Sequence, residues 1–252
     1  MADQFSRTRL LLGEEAMNIL KNSRVAVFGI GGVGGYVVEA LVRSGVGTLD
    51  LIDDDSVSLS NLNRQIIAVR PAVGRSKVDV ARERARDINP DCAINRHRTF
   101  YLPETAGQFD FSEYDYVVDA IDTVKGKLQL VLQARESGTP VISCMGTGNK
   151  LDPSRLEVTD LYKTEMDPIA RIMRRELKKR GVRRLKVVYS KEQPLKPIRD
   201  CSDESGAGRR ATPGSTAFVP PAAGLIIAAE VVKDLTREAV SRARRGQERP
   251  RK

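Results

Sequence analysis

The sequence predicts an α/β fold: a mostly parallel sheet flanked by helices, with a C-terminal strand and helix extension that carries a basic helix. Three observations predict it. An apolar run, Val25 to Phe28, leads straight into a glycine-rich turn, Gly29 to Gly35, and then into a helical pattern from Tyr36 to Arg43. Short apolar runs then alternate with helical patterns up to about residue 145, the mark of β-α-β units with helices on both faces of the sheet. Beyond that point the alternation gives way to two strands, one strongly basic helix and a core-like apolar segment.

The elements follow in order. Residues 8–22 place Leu11, Leu12, Met17, Ile19 and Leu20 near helical spacing and predict one leading helix. Strand one is Val25–Phe28. Helix one runs from Val33 to Arg43 and stops at Ser44-Gly45, a C-terminal cap. Strand two, Thr48–Ile52, ends in three aspartates, Asp53 to Asp55, and a polar loop follows at 56–65. Lys77–Ile88 is a charged amphipathic helix closed by Asn89-Pro90. Cys92–His97 and Tyr116–Val118 are strands, Lys125–Glu136 is a helix, and Val141–Cys144 is a strand. Arg155–Leu161 reads as a strand. Asp167-Pro168 opens the basic helix, with Asp as N-cap and Pro in the first turn. Leu185–Tyr189 is a strand, 191–215 a polar Pro/Gly/Ser-rich loop predicted to be mobile, and Phe218–Leu235 a core segment. The resulting organisation is a Rossmann-like core at 1–145, a continuation of the same domain at 146–235, and a basic, frayed tail at 236–252.

Composition narrows the class. The chain has 252 residues, 40% hydrophobic and 5% aromatic, with 42 Lys and Arg against 33 Asp and Glu. A formal net charge of +9 favours an anionic partner: nucleic acid, nucleotide or membrane surface. Cys92, Cys144 and Cys201 form no C-x-x-C pair, which argues against a disulfide framework and a tetrahedral cysteine zinc site. The N-terminus lacks the apolar run of a signal peptide. The longest apolar stretch, Ala217 to Val232, contains Pro220, Pro221 and Glu230, and falls short of the ~20 residues of a membrane span. These features predict a cytoplasmic protein and leave only peripheral membrane contact open.

The glycine turn carries the first chemical signal. Gly29-x-Gly31-x-x-Gly34 follows a strand and opens a helix, the context in which backbone N–H groups and the helix N-terminus hold phosphate. Asp53 ends strand two, where a ribose-binding acid belongs. Dinucleotide and ATP remain equal at this point. Arg64 in Ser60–Gln65, Lys77 after Gly74-Arg75-Ser76, and Asp122 beyond the strand at 116–118 fall at the same edge of the sheet. Two cations and a carboxylate suit a triphosphate with magnesium.

With these residues in hand, GIGGVG at 29–34, DDDSVSLSNLNRQ at 53–65, GRSK at 74–77 and DAIDT at 119–123 resemble, in order and spacing, the ubiquitin-activating-enzyme-like adenylating family. FSRTRLLLGEEAM at 5–17, MGTGNKLDPSRLEVTDLYKT at 145–164 and DPIARIMRRELKKRG at 167–181 resemble its tRNA threonylcarbamoyladenosine dehydratase subgroup. The resemblance implies ATP and Mg2+ as cofactors. Gly31 and Gly32 would approach the phosphates, Asp53 would hold the ribose, Asn63, Arg64 and Lys77 would contact the phosphates, and Asp122 would bind magnesium. Arg7 matches an arginine that family members insert into the partner subunit's ATP site, which implies a homodimer; Arg9 is the alternative. Thr123 stands where many members have Asn.

The implied reaction is adenylation of the threonyl carboxylate of threonylcarbamoyladenosine in tRNA, followed by ring closure by the carbamoyl group. The catalytic set is then Arg7, Arg64, Lys77 and Asp122. Cys201, in the predicted loop, is at most an acyl acceptor and more simply an incidental thiol, because the ring-closing group is already tethered. Cys144 and Cys92 read as core residues and His97 as a packing residue. Nine cations against Glu176 over 171–186 predict contact with an RNA backbone. The alternative function is activation of a ubiquitin-like sulfur-carrier protein, which would bring sulfur-transfer partner proteins; an NAD-dependent oxidoreductase lacks a histidine in a suitable place.

Overall fold

The computed structural model describes residues 3–198 and 213–247. Among them, seven strands form one sheet in the order β3-β2-β1-β4-β5-β7-β6. Strands β1 (Arg24–Phe28), β2 (Thr48–Ile52), β3 (Ala93–His97), β4 (Tyr116–Asp119), β5 (Val141–Cys144) and β7 (Lys186–Ser190) run parallel, and β6 (Leu156–Asp160) closes one edge antiparallel to β7. The register aligns Phe28 with Ile52 on one side and Asp119 on the other, so the strand ends finish level.

Alternation along β1 divides the core. Val25 and Val27 face a cluster built with α2 (Glu14–Asn22), α3 (Gly34–Ser44), α4 (Lys77–Ile88) and α7 (Val219–Gln247). Ala26 and Phe28 face the other side, where Phe28 packs 4.8 Å from Tyr101 and 5.5 Å from both Phe109 and Phe111, centroid to centroid. The helices α5 (Val124–Ser137) and α6 (Pro168–Lys179) cover this face further along, with Met173 and Leu177 against Val187 and Tyr189.

Several predicted bounds coincide with the observed ones, including β2, α4 and β5. Two elements differ. The leading helix is two helices, α1 (Ser6–Leu12) and α2, because Gly13 between them takes φ +83, outside helical space. The predicted frayed tail begins as helix: α7 continues past Leu235 to Gln247, since Ala239 and Thr236 are each 1% exposed and extend its packed stripe. The remainder of the tail, most of the loop at 191–215, and Cys201 lie outside the described residues.

One buried acid ties β1, β2 and β3 together. Asp50, fully buried on β2, accepts hydrogen bonds from Arg24 (2.8 and 3.0 Å) and Asn95 (3.2 Å) and pairs with His97 at 2.9 Å. Burial alone would raise its pKa; the bonds from His97, Arg24 and Asn95 outweigh it and hold the carboxyl down at about 2. A carboxyl lowered on folding stabilises the fold above the ordinary Asp range and loses that contribution as pH falls from about 4 through about 2. The contribution is about 2 kcal/mol. Denaturant unfolding should show the stability gap between wild type and Asp50→Asn fully open above pH 4 and closing toward pH 2.

Candidate active site

The carboxyl ends of β1, β2, β4 and β5 open onto one cleft of about 730 Å3. It lies where the strand order reverses between β1 and β4, the usual ligand crevice of an open parallel sheet. The chain leaves β1 at Gly29 with φ +89, where a Cβ would come within 2.7 Å of the Ala120 carbonyl oxygen. The turn then brings the backbone of Gly31 and Gly32 to the cleft wall, while Gly34 lies beneath it: a Cβ there would fall 1.7 Å from the Gly29 oxygen. Among the described residues, the N–H groups of Gly31, Gly32 and Val33 make no hydrogen bond. They stand at the start of α3, so free donors and helix dipole coincide in an anion-binding cradle. Helix α7 supports the turn from outside, with Gly224 so close that a Cβ would meet the Val33 oxygen at 2.4 Å.

Asp53 enters the cleft from the end of β2. Its Oδ2 accepts the Ile30 N–H at 2.6 Å and its Oδ1 accepts the Asp55 N–H at 2.9 Å, so the acid also fixes the glycine turn. Burial pushes its pKa up, against the pull of Lys77. Lys77, the first residue of α4, is 4% exposed, with its ammonium 2.5 Å from Asp55 and 3.8 Å from Asp53. An ammonium carries three donors, so pairing with Asp55 leaves capacity for a phosphate. The carboxylates of Asp53, Asp54 and Asp55 lie within 4.8 Å of one another, and Lys77 pairs with two of the three, Asp53 and Asp55.

Arg64 lies across Gly32, with its Cγ 3.4 Å from where a Gly32 Cβ would be, and donates to the Ser60 oxygen and Asn63 Oδ1. Asn63 does not line the cleft; its amide turns to the Ser215 oxygen at 2.9 Å. Asn61 lines it instead. Residues 59–61 form a 3-10 turn, and its tight winding brings forward the first asparagine of Asn61-Leu-Asn63. Asp122 lines the cleft beyond β4, exposed, with no hydrogen bond or ion pair among the described residues. Two other cleft atoms, Gln65 Oε1 and Thr123 Oγ1, are buried without partners among the described residues. Buried polar atoms are normally satisfied, so this cleft is built for a polar ligand.

Behind Asp122, Asp119 and Lys127 form a buried pair, 3.0 Å apart; Lys127 also donates to the Cys144 oxygen at 2.6 Å, and Ser143 donates to Asp119. The pair holds the ends of β4 and β5 at fixed separation. Sequence reasoning missed Lys127, Asn61, Gln65 and Thr123. Lys127 carried one usable signal, a lysine in the first turn of the helix that follows the acidic strand end. Cys144 and Cys92 are buried free thiols whose burial pushes them up to about 12 and about 11, and His97 belongs to Asp50. Arg7 is exposed on α1 and does not line the cleft of its own chain, whereas Arg9 is held by Asp3 (2.9 Å) and Glu14 (2.8 Å).

The ThiF family model matches residues 5–248. The chain belongs to the ThiF family. It is similar to the tRNA threonylcarbamoyladenosine dehydratase of Bacillus subtilis, with 43% identity over 245 residues that cover 94% of this chain and 96% of the relative. Its fold matches the crystal structure of Escherichia coli tRNA N6-threonylcarbamoyladenosine dehydratase, TcdA, in complex with ATP, at TM-score 0.84 and 34% identity over 94% of this chain and 96% of that one. The AMP complex of the same enzyme matches at TM-score 0.85 and 34% identity over the same shares. No helix among the described residues is long and apolar enough to cross a membrane.

Proposed function

We propose that this protein is an ATP-dependent tRNA threonylcarbamoyladenosine dehydratase. The observation that carries the reading is the convergence of the glycine cradle, Arg64, Lys77 and Asp122 on one cleft, in a chain that aligns with enzymes of that name over 94% of its length. That full-length match favours dehydration over activation of a sulfur-carrier protein.

ATP enters with its phosphates along Gly31 and Gly32 and its ribose at Asp53. The threonyl carboxylate of the modified nucleoside attacks the α-phosphorus, forming an acyl-adenylate and releasing pyrophosphate. The carbamoyl group then attacks the activated carbonyl, closes the ring and expels AMP. Water is lost overall, with its oxygen leaving on AMP. The protein supplies position and charge: Arg64 and Lys77 meet the negative charge that accumulates at phosphorus. Magnesium is held by one or two carboxylates plus phosphate oxygens; Asp122, which lines the cleft with no ion pair among the described residues, would hold it, and the ion would neutralise phosphate charge.

The working unit is a homodimer, and the enzyme acts in the cytoplasm. Helix α1 buries no residue in its own chain and leaves Leu10 and Leu11 86% and 76% exposed, an apolar surface suited to a second copy. Arg7 on that helix reaches the partner's cleft. Arg7→Ala and Asp122→Ala should each be inactive alone, and an equilibrated mixture should recover about a quarter of wild-type activity, because half the dimers then hold one complete site. No recovery would show that Arg7 acts within its own chain or not at all.

Transfer RNA lies along α6. Nine cations over 171–186 overstate the free charge: Arg175, Lys179 and Arg180 share Glu176, Arg174 donates to Thr164, and Lys186 pairs with Glu230 and Asp234 of α7. Arg171, Lys178, Arg183 and Arg184 are exposed and without ion pairs among the described residues, and these four are the phosphate contacts. The direct test incubates the protein with ATP, magnesium and tRNA bearing threonylcarbamoyladenosine, then weighs the digested nucleosides. Loss of one water from that nucleoside is expected; an unchanged mass, with AMP release driven instead by a carrier protein, would overturn the reading.

A further inference from the structure

At the sheet edge formed by β3, a pocket of about 270 Å3 separates that strand from α4. Its lining residues are Arg75, Asp79, Arg82, Glu83, Arg86 and Arg96. Spacings of three and four residues place Asp79, Arg82, Glu83 and Arg86 on one face of α4, and Arg96 and Arg98 come from the end of β3. Four lining arginines therefore face two acids, and both acids are already engaged. Asp79 accepts from Arg96 at 2.6 Å and from Arg98; Glu83 accepts from Arg75.

Arg82 and Arg86 have no acid partner among the described residues. Arg82 Nε is buried with no hydrogen-bond partner among the described residues. The only other guanidinium Nε on that footing among the described residues belongs to Arg9, and it lies 2.8 Å from the Glu14 carboxylate. Burial and the like charges of Arg86 and Arg96 push the Arg82 guanidinium below its ordinary range. Gathering two excess positive charges around one concavity is costly unless an anion enters.

We propose that the α4–β3 pocket binds a phosphate group through Arg82, Arg86 and Arg96. Guanidinium groups match phosphate oxygens with paired N–H donors. The pocket lies outside the nucleotide cleft but close to its rim: α4 starts at Lys77, about 8 Å along the helix axis from Arg82, and β3 leads through Arg98 to Thr99 and Phe100 of the cleft lining. A phosphodiester of a bound RNA strand and free inorganic phosphate offer the same chemistry. The site does not depend on the dehydratase reading, because inorganic phosphate alone probes it.

The test follows the arginine Nε–H signals of the full-length, 15N-labelled protein during titration with sodium phosphate, against sodium chloride at matched ionic strength. The Arg82 signal, assigned with Arg82→Gln, should move saturably with phosphate and stay still with chloride. Arg86→Gln, a change at an exposed side chain, should weaken phosphate binding about tenfold while leaving ATP affinity unchanged. A short single-stranded RNA that displaces phosphate from this signal identifies the backbone phosphodiester as the natural occupant. An RNA that leaves it untouched identifies the free ion. An Arg82 signal that moves equally with chloride, or that responds identically in Arg86→Gln, overturns the proposal.

Discussion

Asp122→Ala is expected to lower turnover by at least about 10^3-fold without changing the unfolding midpoint. The two halves of that statement have separate causes. Asp122 lines the cleft but is exposed and makes no hydrogen bond or ion pair among the described residues, so its loss removes nothing from the fold; surface changes of this kind usually stay within about 0.5 kcal/mol. In the proposed mechanism its carboxylate would hold magnesium against the phosphates, whereas Asp53 and Asp55 already pair with Lys77. Steady-state turnover beside a thermal melt checks both halves. Full activity in Asp122→Ala would remove the metal assignment, and a large drop in melting temperature would reassign the residue to the scaffold.

Gly34→Ala and Gly31→Ala should separate in the opposite sense from what their shared motif suggests. A methyl on Gly34 would stand 1.7 Å from the Gly29 oxygen, a backbone atom that moves only if the whole turn moves. That variant is expected to lose more than about 4 kcal/mol or fail to fold. A methyl on Gly31 finds its nearest neighbour, Gln65 Nε2, at 3.8 Å, so Gly31→Ala should fold with wild-type stability and weaken ATP binding about tenfold or more, because the methyl occupies the phosphates' approach. Urea unfolding and ATP titration of the two variants distinguish the roles. Wild-type ATP affinity in Gly31→Ala would remove the phosphates from that part of the turn.

The contrast marks how far the sequence could be read. The glycine spacing announced a turn between strand and helix, but not which glycine serves the fold and which the ligand; that depends on how near Gly29 and Gly34 pass in space. Strands β2 and β5 and helix α4 were legible to the residue because hydrophobic alternation, N-terminal position and the Asn89-Pro90 stop all agreed. The break at Gly13 was hidden because its flanking apolar residues keep helical spacing across it. That Asp53, Arg64, Lys77 and Asp122 line one cleft was legible because strand ends converge in this topology. That Asn61 rather than Asn63 lines the cleft was not legible, because a 3-10 turn, not the sequence spacing, decides which of the two faces it. The excess charge of 171–186 was overread because Glu230 and Asp234, which neutralise Lys186, lie more than forty residues away in α7.

The most direct measurement labels the threonyl carboxylate of the tRNA-borne nucleoside with 18O and follows the label through one turnover. If ATP is used to adenylate that carboxylate, one labelled oxygen must appear in the phosphate of AMP as the ring closes, and the nucleoside must lose one water. Label in inorganic phosphate with ADP as co-product, or a cyclised nucleoside with no label in AMP, would contradict adenylation.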